Sequence, residues 1–112
     1  MTVATLTRDE ALARAKLLPV DAKARLRWNL PRRASQTPPA GDWLIWLILA
    51  GRGWGKTRTG AEEVADWAIT TPGDYFVCAP TYRDMRLICV EGNRSGLLAV
   101  LDRRAISYDW SL

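Results

Sequence analysis

A chain of 112 residues, 48% of them hydrophobic, has the size of one small globular domain and can bury a core, which excludes a disordered tail. There is no histidine, and the two cysteines, Cys78 and Cys89, lack CxxC spacing, so zinc sites, Ser-His or Cys-His nucleophiles and HExxH metalloproteases are excluded and any catalysis is expected to be phosphoryl transfer. Without eighteen consecutive apolar residues, or a basic flank and apolar stretch at the N-terminus, neither a membrane span nor a secretory signal is read; the expected location is the cytoplasm, with both cysteines as small buried thiols.

The net charge of +4 is concentrated at the start, where Met1 to Ser35 holds eight Lys/Arg against three Asp/Glu. This suits a solvated helical surface better than a nucleic-acid-binding arm, because exposed aromatics are not interleaved with it. Residues 7–17 read as a short helix, with Thr7 and Glu10 in capping-box spacing and Leu18-Pro19 ending it. Residues 21–30 read as a second helix with Ala22, Leu26 and Leu30 on one face, stopped by Pro31. Residues 1–30 thus form a helical lead-in, and the proline-rich residues 31–42 an extended connector.

From Trp43 to Ala50 the chain is continuously apolar, the composition of a strand covered on both faces. Beyond the glycine-rich turn that follows, Ala61, Val64, Ala65 and Ala68 recur at helical spacing. A second strand is expected at Asp74–Ala79, parallel to the first through a right-handed crossover. Pro80-Thr81 then opens a helix capped through Asp84, with Tyr82, Met85, Ile88 and Cys89 on one side. Ser95 is placed to cap a last helix through Leu101, and Ile106, Tyr108 and Trp110 alternate as a strand would. The fold class expected from these elements is α/β, a partial parallel sheet with flanking helices occupying residues 43–112.

Ala50, then four residues, then Gly55-Lys56-Thr57 match the Walker A pattern with Ala at its first position, in the strand-loop-helix context the pattern needs. Gly51, Gly53 and Gly55 permit positive φ, so that successive backbone N–H groups can turn toward phosphate oxygens. Lys56 opens the helix and would reach the β- and γ-phosphates, and the Thr57 hydroxyl is placed to ligate Mg²⁺. The cofactors expected are therefore ATP and Mg²⁺. Arg52, between two glycines, could contact the γ-phosphate. Trp54, also within the loop, is expected to pack over it, and Arg58 to lie on the helix surface. In the connector, Gln36 carries a carboxamide able to pair with the N6/N7 edge of adenine, although an ordinary polar linker residue would look the same.

Three blocks in order carry a resemblance: Ala34-Ser35-Gln36-Thr37-Pro38-Pro39-Ala40-Gly41-Asp42-Trp43; Gly51 through Glu62; and Ala79-Pro80-Thr81-Tyr82-Arg83-Asp84 with Val90-Glu91-Gly92 and Ser95-Gly96-Leu97-Leu98. Across residues 17 to 101 the chain resembles the large terminase subunits of tailed phages and prophages. The resemblance implies the ATPase domain of a DNA-packaging motor, of P-loop NTPase (RecA/ASCE-like) type. It places an adenine-reading glutamine at Gln36 and a basic loop residue at Arg52. It also implies double-stranded DNA, a portal protein and a terminase small subunit as partners, and a homo-oligomeric ring. No strand after residue 80 ends in a pair of acids, as Walker B requires, and the nuclease domain is missing, so an N-terminal fragment is expected. A non-catalytic nucleotide-binding remnant and a helicase-like P-loop ATPase are the alternatives.

Overall fold

The computed structural model describes Thr7, Asp9, residues 19–71 and residues 73–111. The helix expected at residues 7–17 lies outside the described residues, apart from Thr7 and Asp9. In chain order the elements are α1 (Val20–Asn29), a 3₁₀ turn (Ala34–Gln36), α2 (Lys56–Thr70), α3 (Tyr82–Asp84) running into a π-helical turn (Met85–Val90), and α4 (Leu97–Arg103).

The small core is formed where α2 crosses α4. Ala61 and Ala65 from α2 meet Val100 and Leu101 from α4, with Leu97, Leu98 and Ile106 packed around them. Two alanines on the α2 face let the helices approach closely, which is why the expected apolar stripe is buried at Ala61 and Ala65 while Val64 is half-buried and Ala68 exposed. Helix α4 ends in a Schellman arrangement: Ala105 N–H donates to Asp102 O at 3.1 Å and Ile106 N–H to Leu101 O at 3.0 Å. Ala105 takes the left-handed position, at φ 55°.

Helix α1 docks differently, since none of its residues is buried; Ala22, Ala24, Leu26 and Trp28 are half-buried and Leu30 is exposed. Its attachment is electrostatic. Arg104, 2% exposed, donates to Asp21 of α1 at 2.6 Å and to Asp66 of α2 at 2.7 Å. Arg25 also pairs with Asp66 at 3.1 Å, and Arg32, just beyond α1, with Glu63 at 3.5 Å. Arg58 stacks over the Trp28 ring at 5.3 Å, a cation–π contact.

The expected α/β architecture is overturned. Among the described residues every regular element is helical, and no strand or parallel sheet forms. Residues 44–50 and 74–79 carry no regular secondary structure, and over 45–50 and 74–79 their side chains alternate between exposed and half-buried, with Ile45 81% and Phe76 89% exposed. The alternation has the period of a strand, but a strand is completed by a neighbour's backbone, and no ladder hydrogen bond reaches either segment among the described residues. Apolar β-prone composition favours local extension; it does not provide the second strand. Residues 106–111 likewise form no strand, and are held by side chains: Tyr108 donates to Asp102 and Trp110 to Glu91, each at 3.0 Å.

Three smaller expectations are also corrected. Ser95 does not cap α4; Gly96 holds the N-cap position without a side-chain cap. The face Tyr82, Met85, Ile88, Cys89 is not kept together, because the π turn, closed by Glu91 N–H on Arg86 O at 2.8 Å, widens the helix and leaves Tyr82 and Ile88 exposed. The cysteines are free thiols, as expected, but Cys78 is exposed and Cys89 half-buried, because both face an open apolar cavity of about 370 Å³ beside α2. The cap at the start of α3 does form, with Thr81 Oγ1 accepting from Asp84 N–H at 3.0 Å.

Candidate functional site

The glycine-rich loop runs directly into α2. Gly55 is the N-cap residue at φ 97° and offers no side-chain cap, and the first α2 amide beyond it to find a backbone partner is that of Thr59, on Gly55 O at 2.9 Å. The amides of Lys56, Thr57 and Arg58 are therefore the helix's orphan donors, gathered at the positive end of its dipole. Gly53 is also left-handed, at φ 78°, whereas Gly51 is not. A side chain at Gly55 would be doubly disfavoured, because its Cβ would also meet Gln36 Nε2 at 3.0 Å.

Lys56 folds back over the loop. Its ammonium donates to Ala50 O at 2.7 Å and Gly51 O at 3.0 Å, closing the loop into a ring. The connector braces the other side. Gln36, 6% exposed, donates from Nε2 to Trp54 O at 3.2 Å and accepts from Arg33 N–H on Oε1 at 2.9 Å. Arg33 also donates to Trp54 O, and its guanidinium lies 5.1 Å from the centre of the Trp54 ring. Trp54 thus does pack against the loop's support.

A cavity of about 510 Å³ opens in front of the loop, within the range of small-molecule sites. Arg52, Gly53, Trp54, Gly55, Lys56 and Thr57 line one side of it, and Arg58 joins them. The structure therefore brings together most of the residues expected from the sequence. Ala50 and Gly51 contribute through the carbonyls that hold Lys56, while Gln36 sits behind the loop and does not line the cavity. The cavity wall carries Arg52, Lys56, Arg58 and Arg94 and no carboxylate, a composition that attracts an anion. Of these, Arg58 is engaged by Glu62 at 2.6 Å.

Thr57, at the head of α2 and on the cavity wall, can give one oxygen to a divalent cation. Among the described residues no group of three or more His, Cys, Asp or Glu comes together to hold a metal. A magnesium ion here would take its other ligands from phosphate oxygens and water.

The sequence did not point to Arg33, whose role depends on the 3₁₀ turn at Ala34–Gln36 that folds the connector against Trp54. Nor did it point to the far wall of the cavity, where Leu87, Ile88 and the segment from Gly92 to Ser95 face the loop. The two glycines flanking Asn93-Arg94-Ser95, Gly92 and Gly96, were the available signal.

Residues 47–111, more than half of the chain, match the family model described as terminase large subunit, T4likevirus-type, N-terminal. No curated protein and no solved structure matches the chain. Among the described residues no helix is long and apolar enough to cross a membrane.

Proposed function

The chain belongs to the family of T4-like-virus-type terminase large subunits, as their N-terminal part, and from this premise of a role in phage DNA packaging we propose that the loop Ala50–Thr57 binds ATP. The observation that carries the reading is the cationic cavity in front of uncapped α2 amides, free of any acidic side chain. A triphosphate needs donors and positive charge converging from several directions, and the loop amides, Lys56 and Arg52 supply both. Thr57 would add a ligand to Mg²⁺, which neutralises part of the phosphate charge.

Lys56 has a defined step in this scheme. Its ammonium is compact and has three donors, two of them resting on Ala50 and Gly51, so it can swing from these carbonyls to phosphate oxygens without entering a new environment. Gln36 is the candidate reader of the base. After its bonds to Trp54 and Arg33 the amide keeps one N–H and one oxygen lone pair, the complement of the adenine N6/N7 edge, and reading a base requires this buried side chain to turn out from behind the loop. Hydrolysis needs a carboxylate to activate water, and the cavity wall has none among the described residues, so we propose binding without turnover for these residues alone. The specific partners proposed are double-stranded DNA, the portal protein and the terminase small subunit, acting with a ring of large subunits.

The test is ATP titration of the purified chain by calorimetry with Mg²⁺ present. Lys56→Ala should weaken ATP by about tenfold or more, roughly 1.4 kcal/mol. Unchanged affinity in that variant would reject the loop as the phosphate site. Repeating the titration with GTP on Gln36→Ala separates base reading, which narrows the ATP preference, from loop support, which weakens both nucleotides alike.

A further inference from the structure

We infer that the segment Gly92–Gly96, on the far wall of the cavity, presents Arg94 to the terminal phosphate of the bound nucleotide. This rests on the reading of Ala50–Thr57 as the triphosphate site. Asn93, Arg94 and Ser95 line the same cavity as Arg52 and Lys56, although about forty residues separate them in sequence. The loop amides and the α2 N-terminus meet a bound triphosphate from one side, so a cation delivered from a different element meets its terminal phosphate from the opposite side.

The segment has the build of a rigid presenting loop. A Cβ at Gly92 would come within 2.5 Å of Ile88 O, and one at Gly96 within 2.5 Å of Gly92 N and 2.6 Å of Val90 O. The two glycines therefore pack backbone on backbone, locked by Gly96 N–H on Gly92 O at 3.0 Å. Upstream, Glu91 accepts from Arg86 Nε at 3.2 Å and from Trp110 Nε1 at 3.0 Å. Downstream, Arg103 Nη2 donates to Arg94 O at 2.9 Å, which fixes the backbone of the presented residue.

The side chain of Arg94, by contrast, is exposed and has no carboxylate partner among the described residues, whereas Arg25, Arg32, Arg58, Arg86 and Arg104 are each paired with one. A fixed backbone with an uncommitted guanidinium matches what bidentate recognition of a phosphate needs. The π turn completes the wall, where Leu87 and Ile88 line the cavity beside the segment from Gly92 to Ser95.

The experiment compares ATP and ADP binding by the wild-type chain, Lys56→Ala, Arg94→Ala and Arg94→Lys, with thermal melting as the folding control. Arg94→Ala should weaken ATP about tenfold and leave ADP within about twofold, Arg94→Lys should recover part of the loss, and melting should be unchanged because the side chain makes no bond to the described residues. If Lys56→Ala loses ATP while Arg94→Ala binds it like the wild type, this proposal fails and the loop reading stands. If neither variant differs from the wild type, both fail. Equal losses of ATP and ADP in Arg94→Ala overturn the assignment to the terminal phosphate.

Discussion

Arg104 joins three helices through a single side chain. Burial alone would lower its pKa, but hydrogen bonds to Asp21 and Asp66 outweigh this and raise it, so the guanidinium stays charged while almost wholly covered. Its Nη1 is buried without a partner among the described residues, a residual cost of placing the charge there. Glu63 is the opposite case. Burial first, and then the neighbouring Asp66, hold its carboxyl above the usual carboxylate range, against the pull of Arg32. An acid whose pKa is raised by folding binds more protons in the folded state, so stability from this group is lost as pH rises from the ordinary carboxylate pKa through the raised value. Glu63→Gln should therefore gain melting temperature relative to the wild type as pH rises from about 4 to about 7. Melting curves across that interval test it: a constant difference would show that Glu63 does not titrate abnormally. None of these ion pairs was legible in the sequence, because Asp21, Asp66 and Arg104 lie far apart along the chain and their meeting depends on helix packing.

At the scale of elements, the sequence was most legible where punctuation and period agreed. Pro31 follows closely on the end of α1, and the spacing of Ala61 and Ala65 identified the face of α2 that packs on α4. It was least legible where one turn type replaced another. The π turn at Met85–Val90 carries no local signature, and at the start of α4 the serine signal lost to the adjacent glycine because Gly96 must pack against Gly92. The end of α4 provides a direct test. Ala105 occupies the left-handed position that glycine fills without steric penalty, so Ala105→Gly should stabilise the fold by about 0.5–1 kcal/mol, the relief of strain being offset in part by a more flexible unfolded chain. Urea denaturation would detect the shift in midpoint, and an unchanged or lower midpoint would show that the Ala105 methyl makes compensating contacts.

Over the whole molecule, the candidate site was more legible than the fold around it. The candidate loop is a local device of glycines, a lysine and a helix start, each legible within a dozen residues; a sheet is a non-local one, and two β-prone segments did not make one here. The consequence for solution behaviour follows from the exposed row Leu44, Ile45, Leu47 and Leu49. Such a row, extended and without backbone partners among the described residues, favours pairing between molecules. The purified chain should show mass increasing with concentration in sedimentation, and Leu47→Lys should reduce the effect; a monomer at every concentration for the unmodified chain would contradict this. A different consequence follows from the brace that Arg33 and Gln36 place on Trp54. Because the connector holds the loop, whatever tightens the loop must, by thermodynamic reciprocity, tighten the connector to the same degree. Occupancy of the cavity in front of α2 would then be felt backward along the chain at α1, and tension on α1 would alter the loop: the connector would act as a lever between whatever fills the cavity and the helix before it.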